Sequence, residues 1–435
     1  MSDLAVFVNS LDEINLLISV KPSLEDHIMS AAAKRKECDL TTLEELVAKA
    51  RKLAPVISSR AEEAERNRRI HDETIAEIAD AGLFQILVPK RFGGYEMPPS
   101  AMVDILRVLS PLCVSTGWNS GFYMVHNWMW CLLPEEAQEE IFADKPYALG
   151  PVMIAPSARA TPVDGGFRVN GRAKWGTGSA HADWCMVSGI VDSAPAEKPK
   201  PGKPAPPNVL MFAMPWSEAR TEPTWFTSGM AATSSNDVVF DNVFVPHHRV
   251  MDVGPSRSGE SPSAALHNNY LYSTAFSPIL ALAAVAPLVA ATLGNAEHAV
   301  DRAKTFISSY SGTSSIDNPA LQIRLAKADL SAHAASVLLD ELAQSIEADS
   351  LTPPIDISSR ALQRAKASYI ASLCRDTVTS LAHGSGASGH MLNSPIQRAF
   401  RDISMASCHV VFDQDPTMEL HGKMLVGKPP AVILA

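Results

Sequence analysis

The chain has 435 residues, 46% of them hydrophobic and 19% charged, which is enough apolar material for large cores and two or three structural units in one globule. A net charge of −10 with no basic cluster argues against a nucleic-acid partner. Six cysteines (Cys38, Cys113, Cys131, Cys185, Cys374, Cys408) are scattered without a CxxC pair, so a reduced, cytoplasmic protein with buried thiols is expected.

Residues 1–40 form an extension in which Asp3, Asp12, Glu13 and Lys21 interrupt the apolar residues, and no secretory leader is visible. From 41 to 146 the patterning is helical. Leu43, Leu46, Val47, Ala50 and Leu53 share one face. A second helix begins with Asp72 as its N-cap and stops at Gly82, with Leu83 packing back on its last turn. Ser100 is expected to cap a third. Trp118 to Leu133 is apolar on nearly every side and predicts a helix buried all round.

Near Tyr147 the texture changes. Phe167–Val169, Trp184–Val187, Val209–Phe212 and Val238–Phe240 read as strands of a small antiparallel domain over 147–260. A loop over 193–207 with six prolines and three lysines interrupts it. Helical periodicity returns over 261–435, in Ala281–Leu293, Leu321–Ile346, Ser359–His383 and Ile396–Phe412. The run Pro278–Leu293 is shorter than the ~18–20 residues that cross a bilayer and contains Pro287, so no membrane partner is expected.

Several strings carry a resemblance. Ala81-Gly82-Leu83-Phe84 with Val88-Pro89 and Phe92-Gly93-Gly94, the hairpin Asp164–Arg172, the strand Val238–Pro246, and Gln322 with Leu325-Ala326 together resemble the acyl-CoA dehydrogenase superfamily over about residues 45 to 425. Within it, Ser115-Thr116-Gly117-Trp118, Val125-His126-Asn127-Trp128, Ala182-Asp183-Trp184 and Gln397-Arg398-Ala399-Phe400-Arg401-Asp402 resemble the flavin-dependent monooxygenase branch. So do His409 and Glu419-Leu420-His421-Gly422.

The resemblance implies a mainly helical fold: an N-terminal helical domain, a middle antiparallel β domain and a C-terminal four-helix bundle that assembles as a homotetramer. It implies the oxygenase component of a two-component monooxygenase. Such an enzyme hydroxylates an aromatic or heteroaromatic substrate through a C4a-hydroperoxyflavin, with reduced FMN supplied by a separate NAD(P)H:flavin reductase. Two absences point the same way. The stretch Asp301–Tyr310 lacks the Arg and Phe-Gly pattern that grips the adenosine half of FAD, and no Tyr-Glu-Gly-Thr string supplies a base. The alternatives are an acyl-CoA-dehydrogenase-type desaturase with FAD, an S- or N-oxygenating member of the branch, or a silent flavin-binding homologue.

By resemblance, Thr177 in Lys174-Trp175-Gly176-Thr177-Gly178-Ser179 lies against flavin N5 and Trp175 packs near the ring, with Gly178 and Ser179 completing the cofactor segment. Ser157 meets the pyrimidine edge. The alternative for Thr177 is a strand-edge hydroxyl bonded to backbone. His126 is placed beside the polar atom of the substrate and His409, on an apolar helix, beside the reacting face of the flavin. For both the alternative is a core histidine. Histidine suits either task because modest burial moves its pKa through the working range.

Gly384–Gly389 spells GxGxxG, but a helix precedes it where a dinucleotide site needs a strand, so a loop is expected whose amides touch the FMN phosphate. No NAD(P)H site is expected. Neither is a metal site, because His247 and His248 are adjacent and no HExxH or Cys/His cluster exists. Arg398, Arg401 and Asp402 are read as ion pairs within the bundle.

Overall fold

Helix α1 (Leu40–Asn67) opens the part of the chain that the computed structural model describes, residues 40–111, 113–192, 207–307, 312 and 314–429. The expected extension and nearly all of the proline-rich loop lie outside these residues. α2 (Asp72–Asp80) follows, with His71 rather than Asp72 at the N-cap; Asp72 is the first helical residue. Gly82 ends this turn at φ +80°, as the pattern predicts, and Leu83 is fully buried behind it. α3 (Pro99–Leu109) starts after Pro98, and Ser100 does not cap it. Instead the Ser100 amide donates to Glu347 Oε1 at 2.7 Å, so a buried carboxylate from a distant helix satisfies that end. α4 (Val114–Trp130) is the helix expected to be buried all round, and only Phe122 reaches partial exposure. A short α5 (Glu135–Ile141) leads to the sheet.

The sheet has β1 (Val152–Val163), β2 (Gly166–Gly176), β3 (Trp184–Val191), β4 (Val209–Pro215), β5 (Ala219–Glu222), β6 (Asn236–Pro246) and β7 (Val250–Met251), in the order β5-β6-β2-β1-β3-β4-β7. Five of its six pairings are antiparallel, but β1 and β3 run parallel, so the sheet is mixed rather than wholly antiparallel. The hairpin β1–β2 places β2 on the outer side of β1, and the chain must cross over to reach the other side. Alternating residues such as Val169, Ala173, Val187, Phe212, Val238 and Val245 form a core of the sheet's own.

After α6 (Pro262–His267) comes the bundle: α7 (Phe276–Thr305), α8 (Pro319–Ser350), α9 (Ile357–Gly384), α10 (Pro395–Ala406) and α11 (Gln414–Leu425). α7 is longer than the apolar run suggested, and Pro287 lies inside it. By length and composition it could cross a membrane, yet most of its apolar window is buried, packed against α3, α4, α8 and α9. The expected fourth helix is split. α10 ends at Ala406, and a 3-10 turn (Val410–Phe412) separates it from α11. One continuous apolar core runs from Leu46 and Leu106 through Trp128 to Val285, Leu339 and Phe412, so the helices on either side of the sheet share it.

Candidate functional site

α4 carries the first half of the site. Its sequence is apolar around the whole circumference, so His126 is buried, 2% exposed. Its Nδ1 lies 2.7 Å from the Gly150 carbonyl. A carbonyl only accepts, so Nδ1 carries the proton and the neutral ring keeps Nε2 as an acceptor. Burial pushes the pKa down to about 4, against the opposing pull of the Gly150 bond, so this ring is neutral at working pH.

His409 does not lie on an apolar helix. It follows α10 and caps the 3-10 turn, its Nδ1 accepting from the Val411 amide at 3.3 Å. Here Nδ1 is the acceptor and the neutral ring keeps its proton on Nε2. Desolvation of the ring pushes its pKa down to about 4 as well. As residues the two differ in setting, His126 enclosed in α4 and His409 exposed at the end of its turn, but both rings are neutral at working pH. The rings meet through two neighbours. Phe122 is edge-on to His126 (5.4 Å between centroids) and to His409 (6.3 Å), and Trp118 packs on Phe122 (4.8 Å) and His409 (5.7 Å). The fold thus brings together on one aromatic wall two histidines 283 positions apart, whose free Nε2 atoms have opposite roles, acceptor on His126 and donor on His409.

The second half is the bulged start of β1 and the end of β2 beside it. The register of β1 with β3 jumps from Met153–Val187 to Ala158–Gly189, and the skipped residues Ile154, Ala155, Pro156 and Ser157 bulge outward, all exposed. Opposite them, Trp175 adopts φ +65° and is 65% exposed. Thr177 bonds Ser235 Oγ through its hydroxyl at 3.1 Å, so its partner is a side chain rather than the expected backbone alternative. Ser179 is buried and its hydroxyl donates to the Ser234 carbonyl at 2.8 Å. That hydroxyl is committed within the protein, which leaves Ser179 a part in shaping the segment.

Gly178 sits at φ +75°, and a Cβ there would lie 2.4 Å from Tyr123 Oη. The Tyr123 hydroxyl donates to the Gly178 carbonyl at 2.7 Å, which seats the cofactor segment against α4 one turn before His126. The exposed bulge and the Trp175 ring offer apolar surface beside backbone and hydroxyl groups. That donor set fits an isoalloxazine, whose ring is flat and apolar and whose pyrimidine edge is polar.

Sequence reasoning missed the loop Gly229–Ser235. Its Thr233 carbonyl accepts from the Gly178 amide (3.0 Å) and from Asn119 Nδ2 (3.3 Å), while its Met230 amide donates to the buried Asp402 carboxylate at 2.6 Å. Arg401 donates to the Ser228 carbonyl at 2.7 Å and pairs with Glu65 of α1. Arg401 and Asp402 therefore tether this loop to the bundle, while Asp402 also feels the charges of Arg398 and Arg401 beside it. Only the run Thr233-Ser234-Ser235 just before a strand hinted at such a role. The GxGxxG stretch is not the expected loop: Gly384 still belongs to α9 and Gly386–Gly389 form a helical turn, which Arg302 closes by donating to the Ser385 carbonyl and Ser388 Oγ while it stacks on Phe306 (4.6 Å). His248 bonds Glu140 at 2.9 Å and approaches Glu136, and Arg249 already neutralises Glu140.

Residues 41–141 match the family described as acyl-CoA dehydrogenase, N-terminal domain, and residues 286–414 match its C-terminal domain. The chain is 35% identical over 389 residues, 89% of its length and 98% of the relative's, to a pigment production hydroxylase of Rhodococcus sp. (strain ATCC 21145). It is 31% identical over 387 residues, 87% of its length and 94% of the relative's, to the flavin-dependent monooxygenase oxygenase subunit HsaA of Mycobacterium tuberculosis. The solved structure of XiaF from Streptomyces sp., in complex with FADH2 and glycerol, superposes with a TM-score of 0.81 at 27% identity, covering 94% of this chain and 99% of that one. The expected resemblance holds at the level of sequence, family and fold, and the chain belongs to the acyl-CoA dehydrogenase superfamily, in its branch of flavin-dependent monooxygenase oxygenase components.

Proposed function

We propose that this oxygenase receives reduced FMN from a separate NAD(P)H:flavin reductase and hydroxylates an aromatic or heteroaromatic ring. Substrate, O2 and reduced flavin give hydroxylated product, water and oxidised flavin. The observation that carries this reading is the pair of neutral histidines on one aromatic wall, an acceptor Nε2 on His126 and a donor Nε2–H on His409.

Reduced flavin, when bound, activates O2 and supplies the transferred oxygen atom. Ser157, Trp175, Thr177, Gly178 and Ser179 would hold it, Thr177 by its hydroxyl and Gly178 by letting the backbone approach. His126 accepts the proton of a phenol or similar group at Nε2, which raises electron density on the ring to be attacked. His409 donates on the flavin side. Trp118 and Phe122 keep water from the reacting atoms.

The missing Arg and Phe-Gly pattern favours FMN. A second reading, FAD, is favoured by the FADH2 held in XiaF. Equilibrium titration under anaerobic conditions separates them: reduced FMN should bind more tightly than oxidised FMN or reduced FAD, and a preference for FAD overturns the FMN assignment. Oxygen-dependent product from phenol, resorcinol or indole with reduced flavin tests the reaction, and thioester oxidation without oxygen would replace it by a desaturase. For assembly, Ile323, Leu330 and Val337 recur every seven residues on α8, each more than half exposed, which supports a homotetramer built on the bundle. Light scattering checks it. The five cysteines among the described residues are free, in keeping with a cytoplasmic enzyme; four are buried as expected, but Cys408 is exposed because it lies in the turn after α10.

A further inference from the structure

Three successive residues before β1 are each held by a different part of the fold. The Ala148 amide donates to Asn127 Oδ1 at 2.8 Å, and Asn127 is the neighbour of His126 on α4. Leu149 is bound in both directions to Asp183: its amide donates to Asp183 Oδ2 at 2.9 Å, and the Asp183 amide donates back to the Leu149 carbonyl at 2.7 Å. The Trp184 amide shares that carbonyl at 3.2 Å. Gly150 then presents its carbonyl to His126 Nδ1. No side chain fits at Gly150, because a Cβ there would lie 1.8 Å from the Trp184 carbonyl oxygen. The carboxylate is itself anchored from outside by Lys145 Nζ at 2.7 Å on the same Oδ2. The direction of the Gly150 carbonyl is thus set by Asp183, and with it the position of the proton on His126.

We propose that Asp183 is a positioning residue for the hydroxylation, fixing His126 in the Nδ1–H tautomer so that Nε2 is always free to accept from the substrate. The role rests on the reading of His126 given above. A neutral imidazole in water favours neither ring nitrogen strongly, so a buried ring of uncertain tautomer would present a proton donor to the substrate part of the time. Asp183 removes that ambiguity without touching substrate or flavin. Its bidirectional bond with Leu149 and the close approach at Gly150 leave the carbonyl one direction to point.

The test uses the full chain labelled with 15N-histidine, with the His126 signals assigned by their loss in His126→Gln. The wild type should show one tautomer, protonated at Nδ1. Asp183→Ala, which removes the acceptor for the Leu149 amide, should show a mixture. Asp183→Asn keeps an acceptor there and should restore the single tautomer, which guards against an effect of misfolding. In parallel, the affinity for phenol with reduced flavin bound should fall about tenfold in Asp183→Ala, the worth of one hydrogen bond. It should not fall further when His126→Gln is added. A single tautomer retained in Asp183→Ala, or losses that add to those of His126→Gln, would overturn the proposal. Should His126→Gln leave phenol binding and hydroxylation intact, the substrate role of His126 fails instead, and the tautomer signal still decides the role of Asp183.

Discussion

On the helix side of the site His126 is 2% exposed and its Nδ1 is committed to Gly150; on the strand side Trp175 is 65% exposed and four consecutive residues of β1 bulge into solvent. The first arrangement is preorganised: the acceptor nitrogen is fixed before a substrate arrives, so little has to be reordered during the reaction. The second is open, and on the function proposed above would suit a flavin delivered by another protein. The difference teaches that this chain encloses and fixes the histidine of α4 while leaving the bulged strand and Trp175 accessible.

The sharpest way to break that comparison is His126→Ala. If His126 acts as a base, oxygen transfer should drop roughly 10²–10⁴-fold, with oxygen still consumed and released as hydrogen peroxide. A single-turnover experiment scoring product against peroxide reads both. Loss of the oxygen reaction instead would place His126 on the flavin side.

Gly178→Ala attacks the seam between the two sides. The strain of a side chain at φ +75°, with Cβ against Tyr123 Oη, is about 1–3 kcal/mol, which corresponds to roughly 5–150-fold weaker flavin binding if the segment shifts to relieve it. Anaerobic titration with reduced FMN measures it, and unchanged affinity means that the segment does not touch flavin.

His409→Ala should slow the reaction of reduced flavin with oxygen by about tenfold, the upper worth of one hydrogen bond, and change its pH dependence while leaving substrate affinity alone. Stopped-flow mixing with oxygen resolves the two. If only transfer suffers, the two histidines have exchanged roles. Thr177→Ala should weaken flavin binding by no more than about tenfold and raise the share of peroxide. Its hydroxyl has Ser235 as a second partner, so Ser235→Ala should show a milder form of the same leak.

The smallest effect is on stability against pH. Because the folded pKa of His126 is depressed to about 4, the unfolded chain takes up the proton first, and this residue makes stability fall as pH drops from about 6.5 towards 4. Asp402, buried and raised to about 7, works in the other direction, because the folded state takes its proton first and gains stability as pH falls below 7. Thermal unfolding of His126→Gln should therefore show a shallower acid decline than wild type, and Asp402→Asn a steeper one.

Local patterns made the strands and long helices legible, since period-2 and period-3.6 apolar spacing both reflect a single buried face. They failed where the partner is remote. Ser100 looks like an N-cap, yet its amide is satisfied by Glu347, 247 residues on. The parallel pairing of β1 with β3 depends on a crossover that no strand sequence records. His409 falls in a turn because α10 ends at Ala406, a break that the apolar run Met405–Val411 conceals. The site residues themselves were legible only through resemblance. The loop Gly229–Ser235 was invisible because its tether, Asp402, is 172 residues from Met230.

The shared apolar core has a consequence for how the chain is made. The sheet closes on a core of its own, but the inner surfaces of α3 and α4 are covered by α7, which is translated more than a hundred residues after them. At ordinary elongation rates a nascent chain would carry that bare surface for roughly 8–30 s before α7 has left the ribosome. Vectorial synthesis therefore delivers α3 and α4 first and their cover late.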